Sequence, residues 1–268
     1  MSTEHAGGAG TSAPVTFREL LPSPGAAGVD PALAYAYPPG LDRPWVRANM
    51  VASADGGAVG PSGRSRDLSS APDRRLMGVL RGLCDVVLVG AGTARTEGYG
   101  PVRARKAWEG LRAGRARTPA VAVVSRSLDL PEELLTEAPE DARTLVLTTR
   151  GAPEERRRRV ARYADVVVVD GASVTPAHVV GELAARGMRR ILTEGGPHLL
   201  GEFVAAGLLD ELCLTLSPHL LGSGPPRIVA GGPGAPGAPE AWSQQSTPVR
   251  IAHLLEAEGN LFARYVRG

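Results

Sequence analysis

Cysteine is almost absent: two in 268 residues, Cys84 and Cys213, each inside an apolar stretch. That count excludes a four-thiolate zinc site and gives no disulfide framework, so both are expected as core thiols in a reducing, cytoplasmic setting. Aromatic residues make up 4% of the chain, so aliphatic packing must carry the core. No apolar run approaches ~18 residues, which removes a membrane-spanning helix. The start, MSTEHAGGAG, lacks a basic-then-apolar order and is not expected to be a signal peptide. Net charge is only +2, and the arginines are scattered without interleaved aromatics, so a nucleic-acid partner is not expected. The five histidines stand singly, with no pair at helical spacing, which argues against a metal centre. G-x-x-x-x-G-K-[ST] and G-x-S-x-G do not occur, so neither a P-loop nor an α/β-hydrolase elbow is present.

What the chain does have is a 43% hydrophobic content arranged in short runs. Trp45–Ala52, Asp85–Gly90, Pro119–Ser125, Thr144–Thr148, Val166–Val169, Arg190–Thr193 and Leu208–Pro218 read as strands. Between them lie helical patterns at Pro72–Leu83, Glu154–Tyr163, Ala177–Arg186 and from Pro197 onward. Two alternating runs, Val249–Glu256 and Leu261–Val266, are split by Glu258-Gly259-Asn260 and predict a β-hairpin. The pattern predicts an α/β fold of three layers (α/β/α) around a mixed, mostly parallel sheet with a C-terminal antiparallel hairpin. Residues 1–14 are expected to be a disordered tail. Residues 15–42 read as an N-terminal arm with a short helix, and 43–268 as the main domain. Residues 98–118 read as a basic loop, and 222–240 as a long Gly/Pro loop.

Two glycine turns stand out. In ILTEGGPHLLGEF (191–203) a strand ends at Glu194, the backbone turns through Gly195-Gly196, and a helix opens at Pro197, where a missing N–H is harmless. Free N–H groups and the helix dipole there suit a phosphate. Gly90-Ala91-Gly92-Thr93 follows another strand, but Arg95 stands where a Rossmann turn needs a small residue. Two such turns facing one crevice suit a dinucleotide, with Glu194 the acid beside it. Arg81, Arg103 and Ser65 are candidates for a phosphate clamp.

Taken in order, ASADG (52–56), GRSRDLSS (63–70), LRGLCDVVLVGAGTARTEGYGPVR (80–103), LTEGGPHLLGEFVAAGLLDEL (192–212) and SPHLLG (217–222) resemble the pyrimidine reductases of riboflavin biosynthesis, the RibD C-terminal family. The resemblance spans about residues 43–267. It implies a dihydrofolate-reductase-like fold with NADPH across the strand ends. It also implies reduction of 5-amino-6-(5-phosphoribosylamino)uracil to its ribitylamino product, with hydride reaching the sugar C1 of an open, imine-like form. Cofactor positions carry over to Ala52, Thr93 and the segment Gly195, Gly196, Pro197, His198, Leu199, Leu200, Gly201. Substrate positions carry over to Ser65, Arg81, Glu97, Arg103 and Glu194, with Glu194 accepting hydrogen bonds from the pyrimidine. Ser125-Arg126-Ser127, just after a strand, is the candidate for the adenosine 2′-phosphate. Glu194, Asp55 and Glu97 are the candidate acids, with water as another proton source. The family's deaminase half is missing, Asp67 replaces a tryptophan common in the family, and Glu97-Gly98-Tyr99-Gly100-Pro101 replaces D-D-P. A pterin or dihydrofolate substrate, or an NADPH-binding dimer without turnover, are the alternatives. The resemblance also implies a homodimer.

Overall fold

Val86–Val89 is a run of four β-branched or leucine side chains, every one of them buried. A strand buried on both faces has no use for alternation, and this one sits inside a parallel sheet. The computed structural model describes residues 15–25, 27–231 and 246–268. The expected tail 1–14 and most of the second half of the Gly/Pro loop lie outside the described residues; residues 218–231 form irregular backbone ahead of it.

In chain order the elements are β1 (Arg18–Leu21), α1 (Pro31–Ala34), β2 (Trp45–Ser53), α2 (Ala71–Leu83), β3 (Val86–Gly90), α3 (Ala91–Glu97), β4 (Ala120–Val124), α4 (Glu132–Thr136), β5 (Leu145–Thr149), α5 (Glu154–Ala161), β6 (Asp165–Val169), α6 (Pro176–Ala185), β7 (Arg190–Thr193), α7 (Pro197–Ala205), β8 (Glu211–Ser217), β9 (Val249–Ala257) and β10 (Asn260–Arg267). They build one sheet in the order β1-β9-β10-β8-β2-β7-β3-β4-β5-β6. From β8 to β6 every pairing is parallel. The hairpin β9–β10 and the edge strand β1 pair antiparallel.

Successive side chains of β3 serve opposite layers, as the strand period of two requires. Val87 and Val89 pack with Leu76, Leu80 and Leu83 of α2. Val86 and Leu88 pack with Val179 and Leu183 of α6 and with Leu199 and Phe203 of α7. Each such aliphatic side chain, fully buried, contributes about 1.5–3 kcal/mol. Helix α2 starts where the Ser70 hydroxyl accepts from Asp73 N and proline occupies the first turn.

Two segments do more than their sequence shows. The arm is more than a short helix: β1 extends the sheet beyond the hairpin, and Phe17, Tyr35 and Tyr37 are buried in the core. A four-residue strand with only edge burial gives no periodicity to read. The basic loop 98–118 is not simply solvated. Arg112 is 4% exposed and donates to the carbonyls of Gly82 and Cys84, while Arg115 donates to Leu83 O and Asp85. These guanidiniums satisfy carbonyls at the end of α2 and just beyond, which no further helical turn can. Trp108 is buried in the same loop and donates from Nε1 to Gly78 O.

Beneath the arm lies a buried ionic cluster. Arg47 of β2 and Arg264 of β10 both hold the Glu211 carboxylate, with nitrogen–oxygen distances of 2.7 and 2.8 Å to Oε1. The Tyr37 ring covers the Arg47 guanidinium at 4.0 Å. Burial works against the Glu211 charge, but Arg47 and Arg264 outweigh it and hold the carboxyl below its usual range.

Candidate active site

Strand β7 lies between β2 and β3, so its carboxyl end meets theirs. Glu194 N donates to Leu88 O at 3.0 Å and Gly90 N donates to Gly195 O at 2.9 Å. The two glycine segments singled out in the sequence are therefore bonded to each other, the Gly90–Thr93 segment being the N-cap and first turn of helix α3 rather than a free turn. Gly195 has φ +94°, a conformation a side chain would strain, and its bond to Gly196 is cis. A Cβ on Gly196 would collide with Thr93 Oγ1. These glycines are required by how closely the turns approach.

Helix α7 opens at Pro197 with Gly196 as its N-cap, and no side chain caps it. Its first-turn N–H groups and the Thr93 hydroxyl border the same notch. A group with anionic phosphates fits a cradle of this kind, as the sequence implied for NADPH. Ala52 is buried near the end of β2. Leu199, Leu200 and Gly201 are buried in α7, whereas His198 faces solvent. Ser125 directly follows β4, one strand beyond β3, and is buried with its hydroxyl accepting from Leu128 N. Arg126 beside it is exposed.

On the α2 side of the sheet a cleft of about 620 Å³ opens beside Glu194. Ser65, Arg81, Glu97, Arg103 and Glu194 all line it. Glu194 is buried, and the Arg81 fork meets both of its oxygens, Nε to Oε1 at 2.7 Å and Nη2 to Oε2 at 2.5 Å. The half-buried Tyr99 donates its hydroxyl to Oε2 at 2.7 Å. Desolvation first, and then the Glu194 charge, push the Tyr99 phenol well above its ordinary value, so it stays a donor. Burial opposes the Arg81 charge, and Glu194 more than restores it.

The remaining sequence candidates are distributed as follows. Glu97 accepts from Ser65 N at 2.8 Å, fixing the short 3₁₀ turn Ser65–Asp67 against the end of α3. Arg103 is exposed and turned toward Glu137 at 2.7 Å rather than toward Arg81's partner. Asp55 does not border the cleft: its carboxylate ties Ser53 to the backbone of Leu221 and Gly222. Those hydrogen bonds, Ser53 foremost, hold its carboxyl below the usual range. Asp67 accepts from Ser62 N and occupies the space a side chain on Gly60 would need.

Tyr99 and Asp73 are among the cleft residues to which sequence reasoning assigned no role. Tyr99 sits in a Gly-Tyr-Gly stretch whose tyrosine carries no positional signal. Asp73 reads as an ordinary first-turn helix acid. It is 6% exposed, and its carboxyl accepts from Thr215 Oγ1 at 2.7 Å while lying 2.5 Å from Ser69 Oγ. Among the described residues no group of three or more histidine, cysteine or acidic side chains is placed to hold a metal, and no helix is long and apolar enough to cross a membrane.

Comparison with known proteins gives concordant matches. A 2,5-diamino-6-ribosylamino-4(3H)-pyrimidinone 5′-phosphate reductase from Archaeoglobus fulgidus is 30% identical over 187 residues, 67% of this chain and 83% of that protein. The corresponding reductase from Aquifex aeolicus is 26% identical over 199 residues, 72% of this chain and 85% of that one. The crystal structure of a pyrimidine reductase-like protein from Corynebacterium diphtheriae superposes with a TM-score of 0.76 at 27% identity, covering 89% of this chain and 98% of that one. The family model described as RibD C-terminal domain matches residues 44–248, which include both glycine turns and every cleft residue discussed above. The chain therefore belongs to the RibD C-terminal domain family.

Proposed function

We propose that this protein is an NADPH-dependent reductase of the riboflavin pathway, acting on 5-amino-6-(5-phosphoribosylamino)uracil and delivering its ribitylamino product. The observation that carries this reading is that one turn, Glu194–Gly196, forms both a wall of the acid-lined cleft and the phosphate-type cradle. A cofactor gripped by the cradle ends beside a substrate held in the cleft. When bound, the reduced nicotinamide supplies hydride to the carbon of an imine-like bond.

The chain's own residues do the positioning. A carboxylate offers about four acceptor directions. Arg81 and Tyr99 use three on Glu194, one on Oε1 and two on Oε2. One is left on Oε1, enough for a single N–H of a pyrimidine. The cleft mouth carries Arg66, Arg74, Arg103 and Arg105, a basic rim suited to a sugar phosphate. The Arg105 guanidinium lies 5.5 Å from the Trp108 ring centroid.

A second reading is favoured by the names of the Archaeoglobus and Aquifex relatives: the 2,5-diamino pyrimidinone, which carries a ring amino group where the uracil has a carbonyl. Loss of reduced-nicotinamide absorbance with each compound separates the two, and dihydrofolate serves as a third substrate arm. Tight NADPH binding with no oxidation in any arm overturns the enzymatic reading. The same proposal includes a homodimer, for which Val249 and Ile251 of β9 offer exposed apolar side chains. Light scattering at assay concentration tests it.

A further inference from the structure

Of the buried acids lining the cleft, Glu194 is paired with Arg81, whereas Asp73 has no cation within ion-pair distance among the described residues. A carboxylate removed from water without a partner is strongly disfavoured and tends to keep its proton. What faces Asp73 is almost entirely neutral. Ser69 lies on the loop before α2, Thr215 on β8, and Ser70 caps the backbone N–H of Asp73 itself. The charges that reach it are Arg74 on α2 and Glu194 on the turn after β7, the latter already matched to Arg81 and Tyr99. Burial pushes the Asp73 carboxyl above its usual range; Glu194 adds to this, and the two hydroxyls and Arg74 oppose it.

We propose that Asp73 is the proton donor of the reduction, with Ser69 as its neighbour at the cleft wall. The inference rests on the imine-reducing function above. Hydride from the reduced nicotinamide forms a carbon–hydrogen bond and breaks the carbon–nitrogen π bond, leaving the electron pair on nitrogen. That nitrogen takes the proton from the Asp73 carboxyl, directly or by a relay in which Ser69 Oγ gives one proton and receives another. Asp73 is left as a carboxylate and regains a proton from bulk water before the next turnover. Glu194 is not placed for this step, since both of its oxygens accept from Arg81 or Tyr99.

The test combines kinetics with an infrared titration of the cofactor-free protein. Asp73→Asn is expected to lower kcat by about 10²-fold or more, the usual worth of a positioned acid, with KM and NADPH affinity within a few-fold of wild type. Because the protonated form is the active one, kcat of the wild type falls on the alkaline side, and this limb disappears in Asp73→Asn. Thr215→Val removes the hydroxyl that favours the carboxylate, so it moves the falling limb and the protonated-carboxyl infrared band of Asp73 to higher pH together. A kcat for Asp73→Asn within threefold of wild type overturns the proposal, as does a Thr215→Val profile superimposable on wild type. If the wild type binds NADPH but reduces none of the substrates, the functional reading fails. The infrared titration then decides for Asp73 alone: a band lost in the ordinary carboxylate range overturns its role as a proton reservoir.

Discussion

Arg81 grips Glu194 through both carboxylate oxygens, although the two residues are 113 positions apart in the chain. Side-chain exposure is 20% for the arginine and 4% for the glutamate, so removing one partner strands a buried charge. Arg81→Ala is expected to lose about 3–5 kcal/mol of unfolding free energy. Glu194→Gln keeps the shape, loses less stability and raises KM for the pyrimidine about tenfold or more. Denaturant melts and steady-state kinetics check both, and an Arg81→Ala protein as stable as wild type contradicts the buried pair.

The cradle makes its own prediction. In Gly196→Ala the new methyl meets Thr93 Oγ1, and the turns must separate. The expected result is an NADPH Kd raised about tenfold or more, equivalent to 1.4 kcal/mol, with most of the thermal stability retained. Nicotinamide fluorescence titration reads the change. An unaltered Kd would place the cofactor elsewhere.

Two glycines of α2 respond differently to the same substitution. Alanine favours helix over glycine by about 1 kcal/mol. At Gly78 the added Cβ meets the end of the flexible, exposed Arg105 side chain, which swings aside, so Gly78→Ala is expected to be neutral or to raise Tm. At Gly82 it meets the buried Trp108 ring 2.7 Å away, and the ring cannot retreat. Overpacking of this kind costs about 1–3 kcal/mol, so Gly82→Ala is expected to lower Tm. Calorimetry of the two variants side by side decides it.

Acid should weaken the fold through His253. Burial, with the nearby Arg264 and Arg47 charges, depresses this imidazole to about 4 from its ordinary value of 6.5, against the pull of Glu211. Between those values the unfolded chain binds a proton that the folded one refuses, so stability falls as pH drops from about 6.5 towards 4. His253→Phe keeps a ring edge-on to Tyr35, as the histidine is at 4.6 Å. Its Tm should decline less than the wild type's over that interval. Parallel slopes would rule out the histidine as the cause.

The strands and the two glycine turns were readable because each is local: a run of Val and Leu, or a pair of glycines between a strand and a proline. The partners were not. Asp73 finds Thr215 across 142 residues, and nothing in a first-turn aspartate announces that its carboxyl turns inward. Arg112 and Arg115 look like any surface arginines until the end of α2 is seen to lack acceptable donors. The edge strand β1 was missed because it takes its structure from β9, through pairings such as Arg18 with Glu256. Arg103 was grouped with Arg81 on chemistry and on the family resemblance, and its pairing with Glu137 depends on the path of a loop.

The place of β7 in the sheet has a consequence for how the protein is made. Its two neighbours, β2 and β3, emerge more than a hundred residues earlier, and their facing edges stay open until the late strand slides in between. A growing chain that stops short of Thr193 can pair β3 to β6 with one another, while β2 still has no neighbour to pair with. The arrival of β7 joins β2 to β3, brings Glu194 to Arg81 and sets the two notches together in a single event. Ligand affinity should therefore switch on abruptly with chain length, making cofactor capture a reporter of the moment the centre of the sheet closes.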